Sequence, residues 1–209
     1  DLIGPLTEAM FHNAMTDLLS LGADMPRLCL NVAAKSLVDR QFATSTLRIM
    51  DELGFPADPL EIEIIERDIV TNSERSLLTL TTLREHGIRV AIDDFGTGYS
   101  SFLTLRDLHA DRLKIDQQFT KHIIGSAADS LIVTKLIEIA HTLGLDVVAE
   151  GVESDEVWDL LSSLGCDVAQ GYAIARPMPL SDLRPWLAAH TPRRSTRPLA
   201  PAAFADRLP

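Results

Sequence analysis

Apolar residues recur at helical spacing from Pro5 to Leu21, through Leu6, Met10, Ala14, Leu18 and Leu21. Beyond that stretch, short β-rich runs alternate with amphipathic helical ones. The runs Leu28–Val32, Leu60–Ile65, Ile88–Ile92, Arg112–Ile115, Leu145–Ala149 and Val168–Gln170 predict six strands. Helices are predicted near Asp39–Leu53, Ser73–His86, Asp129–Leu143, Ser154–Leu164 and Ser181–Ala189. Gly54, Gly87, Gly144 and Gly165 stand where a left-handed residue ends a helix. Ser154, followed by Asp155 and Glu156, reads as a helix start with acids at the positive dipole end.

Regular strand–helix alternation predicts an α/β fold, a parallel sheet covered by helices. Two closures compete, an open doubly wound sheet and a TIM-like (β/α)8 barrel. An eight-stranded barrel usually takes about 250 residues. With 209 residues and six strands, a barrel reading has six of eight strands present, and the start at Asp1 places the other two upstream. Such a chain, taken alone, is expected to self-associate through its open strand edges. The barrel domain is read over residues 1–190. Residues 191–209, rich in Pro, Arg and Ala and without periodicity, read as a disordered tail.

Composition narrows the function classes. Hydrophobic residues make up 46% of the chain, too many for a disordered acidic protein. No run approaches the roughly 20 apolar residues of a membrane span, and nothing at the start reads as a signal peptide. Cys29 and Cys166 are far apart, with no CxxC pair, which excludes a disulfide scaffold and a thiolate zinc site. Both are read as buried small hydrophobes in a cytoplasmic protein. Trp158 and Trp186 fall on helical patterns and are read as core. The net charge is −11, and the tail holds four arginines against Asp206 alone, so the rest is still more acidic. Such a surface repels DNA and RNA, and binding a polyanion would need local cations such as metal ions.

Polar groups stand at the end of every predicted strand: Asn31, Glu63, Asp93 with Asp94, Lys114 before Asp116, Glu150 and Gln170. In parallel α/β folds these ends are where ligands bind. Four carboxylates and an amide are hard oxygen ligands suited to Mg²⁺ or Mn²⁺. The adjacent acids Asp93 and Asp94 suit two ions about 4 Å apart, an arrangement that activates water and stabilises a leaving oxygen in phosphoryl displacement. Lys114 suits the attacking water or a phosphate oxygen. The competing reading is a set of ion pairs around a barrel mouth. Gly96-Thr97-Gly98 is not a dinucleotide fingerprint, because Ser101 replaces the third glycine and two acids precede it. It reads instead as a mobile loop hinged by glycine. The six histidines show no HxH or HExxH spacing, and no GxSxG or Cys–His arrangement suggests a covalent nucleophile.

Residues 93–101 read DDFGTGYSS, residues 113–116 LKID and residues 148–153 VAEGVE. Residues 170–172 read QGY and residues 176–179 RPMP. Together these motifs resemble the EAL domain family of bacterial cyclic di-GMP phosphodiesterases, the last two being similar to its QGYxxxRPxP. The resemblance implies a (β/α)8 barrel that hydrolyses one phosphodiester of cyclic di-GMP to linear pGpG. It assigns Asn31, Glu63, Asp93, Asp94 and Glu150 to metal, with Mg²⁺ or Mn²⁺ as two ions. Lys114 and Glu150 take catalytic roles, Gln170 and Asp116 face substrate, and Glu66 anchors the loop after Asp94. NLSARQL becomes Asn-Val-Ala-Ala-Lys-Ser-Leu here, and ELTES keeps only its acids, Glu63 and Glu66. The signature Glu-Ala-Leu itself is not in the sequence. A homodimer, and an upstream sensory or membrane-attached domain, are compatible with this reading. A degenerate domain that binds cyclic di-GMP without cleaving it, and a pure protein-interaction module, are the alternatives.

Overall fold

The computed structural model describes residues 2–22, 25–67, 73–97, 105 and 108–190. Both the tail reading and the loop reading beyond Thr97 fall outside them. The chain forms two compact units whose boundary lies between Ala91 and Ile92, inside one strand.

The first unit holds α1 (Ile3–Leu19), β1 (Leu28–Asn31), α2 (Ala34–Leu37), α3 (Phe42–Leu53), β2 (Leu60–Ile65), α4 (Ser73–Glu85) and the start of β3 (Arg89–Phe95). β1 and β2 run parallel, with Asn31 opposite Glu63. Alternation decides the faces of β2. Leu60, Ile62 and Ile64 are fully buried on one face, while Glu61 and Glu63 share the other. α1 packs on β1 and α3, where Phe11 meets Phe42 edge-on with centroids 5.8 Å apart. Thr79 of α4 donates to the carbonyl of Leu37 at 2.8 Å, tying α4 to the end of α2.

The second unit holds the end of β3, β4 (Arg112–Ile115), α5 (Gln117–Thr120), α6 (Ala127–Thr142), β5 (Asp146–Ala149), α7 (Asp155–Ser163), β6 (Val168–Ala169) and α8 (Leu180–Ala189). Its strand order is β3-β4-β5-β6, with β4–β5 and β5–β6 parallel. α6 buries Val133, Leu136, Ile137 and Ala140 and packs against β4 and β5. Ser154 caps α7 as its sequence suggests, accepting from the N–H of Val157 at 3.3 Å.

All six predicted strands are present, shifted by a few residues at their ends. Gly54, Gly87, Gly144 and Gly165 all have positive φ, as expected of helix ends. Three expectations are corrected. The helix expected from Asp39 begins at Phe42, after a separate short α2. Cys29 is exposed, not buried, because its side chain shares the polar face of the sheet and donates to Glu61 at 3.6 Å. Trp186 is not core: α8 buries no residue, and the indole stacks on His190 with centroids 4.3 Å apart. Trp158 and Cys166 are buried as anticipated.

Candidate functional site

In the second unit the strand faces converge on one cation. Residue parity places Lys114 and Glu150 on the same sheet face, opposite the face covered by α6. Lys114 is buried, with its Nζ 2.8 Å from Asp93 Oδ1 and 2.7 Å from Glu150 Oε1. A buried ammonium is tolerated only with such partners. Carboxylate oxygens of Asp93, Asp94 and Glu150 lie within 4.8 Å of one another. Three acids against one lysine leave an excess of negative charge on hard oxygen donors.

The backbone around these acids is specialised. Asp94 has φ 53, a left-handed conformation that aspartate tolerates better than most side chains. Its N–H donates to Asp93 Oδ1 at 3.1 Å, and its carbonyl accepts from the Thr97 hydroxyl at 2.9 Å. Burial holds the Asp94 carboxyl above its ordinary range, and the neighbouring Asp93 and Asp116 push it further up. Burial also raises Glu150, against the opposing pull of Lys114. Crowded carboxylates in this state gain from a divalent cation. The donor set therefore fits such an ion.

Asp116 is buried beside Asp94, and its carboxylate also caps α5, accepting from the N–H of Gln118 at 2.7 Å. Gln170 is exposed at the end of β6, its N–H donating to the carbonyl of Ala149 at 2.8 Å. In the first unit, Asn31 is exposed at the end of β1 and Glu63 is buried opposite it. Glu66, just beyond β2, is buried. Reading the sequence missed the cluster of Cys29, Glu61 and Glu63, whose ligand atoms also lie within 4.8 Å of one another. The Glu-x-Glu spacing on β2 was its one signal. Thr120 and Phe119 of α5 were missed as well.

A family model described as the EAL domain matches residues 1–177. The chain belongs to the EAL domain family. It is 36% identical over 188 residues to a cyclic di-GMP phosphodiesterase of Pseudomonas aeruginosa, PA2567, covering 89% of this chain and 32% of that relative. It thus spans about a third of that relative's length. Among solved structures, the EAL domain of Mycobacterium smegmatis DcpA superposes with a TM-score of 0.84 at 36% identity, over 90% of this chain and 86% of that one. A manganese and cyclic di-GMP complex of Klebsiella pneumoniae BlrP1 gives a TM-score of 0.75 at 30% identity, over 84% and 44%. The fold is accordingly the TIM-like α/β fold of EAL domains, which decides between the two closures left open by the sequence.

Proposed function

We propose that the protein carrying this chain is a metal-dependent phosphodiesterase that opens cyclic di-GMP to linear pGpG. The carrying observation is buried Lys114 between Asp93 and Glu150, with Asp94 completing a carboxylate cluster in a chain of the EAL family. Asp93, Asp94 and Glu150 would hold Mg²⁺ or Mn²⁺, and Asn31 and Glu63 take the further ligand roles of a two-ion set. When bound, such ions lower the pKa of water and neutralise charge on phosphoryl oxygens.

The chain's own residues do the rest. Lys114, fixed by two carboxylates, places its ammonium beside the position of an attacking water or a phosphate oxygen. Glu150, held above the ordinary carboxylate range, is suited to accept a proton from water. Asp116 and the exposed Gln170 contact substrate in this reading; the anchoring role expected of Glu66 concerns a loop that lies largely outside the described residues. The carboxylates that bind metal would otherwise repel a ligand carrying two anionic phosphodiesters, so binding is expected to require the ion.

Neither Cys29 nor Cys166 is in a disulfide, which supports a cytoplasmic setting. Among the described residues no helix is long and apolar enough to cross a membrane. A homodimer and an upstream sensory or membrane-attached domain belong to the same proposal.

The test is turnover of cyclic di-GMP with Mg²⁺ or Mn²⁺, followed as appearance of pGpG, in the wild type, Glu63→Gln and Asp93→Asn. Turnover lost in both folded variants supports the assignment. Tight binding with no turnover in the wild type would favour the receptor reading. Near-normal turnover in either variant would sink the metal assignment.

A further inference from the structure

Glu150 has its side chain held by Lys114, but its main chain is held by a different element. Its N–H donates to the carbonyl of Ile115 at 3.1 Å, continuing the β4–β5 ladder. Its carbonyl lies beyond the last β4–β5 register pair, Ile115 with Ala149, where β4 gives way to α5. The hydroxyl of Thr120, a fully buried residue, donates to this carbonyl. The same hydroxyl also has the carbonyl of Gln117 at 3.2 Å, so it links the Glu150 main chain to the first turn of α5.

The surrounding glycines show how tightly α5 is seated. Gly151 has φ 63, and a Cβ there would stand 2.5 Å from Gln117 Cβ. A Cβ on Gly96, just beyond the Asp93–Asp94 pair, would stand 2.5 Å from Cε2 of Phe119. One turn of helix therefore presses on both carboxylate-bearing strand ends, and its own first turn is fixed by Asp116.

We infer that Thr120 is a positioning residue for Glu150, its buried hydroxyl setting the backbone from which the carboxylate reaches Lys114 and a bound metal ion. The inference rests on the phosphodiesterase reading for its kinetic part only. Thr120→Val removes the hydroxyl while conserving shape, and Thr120→Ser restores it.

The experiment measures cyclic di-GMP hydrolysis and, separately, Mn²⁺ affinity by calorimetry, in the wild type and both variants. Thr120→Val is expected to lower kcat about 10- to 100-fold and to weaken Mn²⁺ binding about tenfold. KM should stay within about twofold, since the residue touches no substrate. Thr120→Ser should restore both readouts, which bulk packing alone would not do. Wild-type kcat and Mn²⁺ affinity in Thr120→Val, or equal impairment in Thr120→Ser, would overturn the inference. If the wild type binds Mn²⁺ but does not turn over, the phosphodiesterase reading fails and the Mn²⁺ titrations still decide the role of Thr120. Loss of fold in both Thr120→Val and Thr120→Ala would assign the hydroxyl to stability alone and equally overturn the inference.

Discussion

Lys114 reaches past its register partner. On β4 it pairs with Val148 of β5, yet its ammonium lies 2.7 Å from Glu150, two residues further along. The diagonal places the charge at the end of the strands, where Asp93 also meets it at 2.8 Å. The same two carboxylates thus neutralise a buried lysine and, in the proposed site, would supply oxygens to a cation.

That dual use predicts the outcome of removing the lysine. Lys114→Met leaves Asp93 and Glu150 facing one another with no cation between them. Breaking a buried pair by removing one partner costs about 3–5 kcal/mol. Unfolding of the metal-free variant by denaturant should show that loss. Added Mn²⁺ should recover part of it, while hydrolysis of cyclic di-GMP stays abolished. Undiminished stability without metal would show that the lysine does not hold the carboxylates together.

Asp94 makes a pH-dependent prediction. Burial, then Asp93 and Asp116, raise its carboxyl above the ordinary value of 3.8. A raised acid contributes stability that is fully present below the unfolded value and lost as pH rises through the folded one. The metal-free protein should therefore lose stability from this group as pH climbs from about 3.8 upward. Asp94→Asn should flatten that part of the profile and weaken the stabilising effect of Mn²⁺. An unchanged pH profile in the variant would contradict the crowding argument.

How far the sequence led follows from what alternation can encode. A period of two places Glu61 with Glu63 on one face of β2, and Lys114 opposite the faces of Leu113 and Ile115. The polar strand ends, Asp93, Lys114 and Glu150 among them, were legible for that reason. Period and spacing do not encode which side chains cross between elements. The Thr120 contact with Glu150 spans 30 residues, and α5 is a single turn too short to show helical periodicity. Cys29 looked apolar because it lies between Leu28 and Leu30, yet the pleat turns it to the carboxylate face beside Glu61. Trp186 sits on a regular helical pattern, but nothing along the chain says whether a second layer covers that helix.

The two thiols should behave oppositely. Cys29 is exposed, whereas Cys166 is buried, with its thiol pushed up to about 12 chiefly by desolvation. The thiolate is the reacting species, so Cys166 should be inert at neutral pH. A disulfide reagent added to the native protein should label Cys29 alone, and Cys166 only after denaturation. Rapid native labelling of Cys166 would mean that the second unit opens readily.

Gly171 follows Gln170 at the end of β6 and sits directly against the backbone of Val152. A Cβ there would stand 2.2 Å from the Val152 carbonyl oxygen and 2.4 Å from its nitrogen. Those two atoms are engaged already. The Val152 N–H donates to the carbonyl of Gln170 at 3.0 Å, and its carbonyl accepts from Ala173 at 3.0 Å. A main chain pinned from both sides cannot step aside as a flexible side chain would. Gly171→Ala is therefore expected to cost about 3 kcal/mol, the upper end for overpacking. It should also displace Gln170 and the Glu150-Gly151-Val152 segment beside it, so substrate affinity falls along with the melting temperature. Gly125→Ala is the control, since a Cβ at that position meets nothing within 4 Å. Its stability should stay within about 0.5 kcal/mol of the wild type. A Gly171→Ala variant as stable as the control would mean that the Val152 backbone yields, and Gln170 would then owe its position to some other contact.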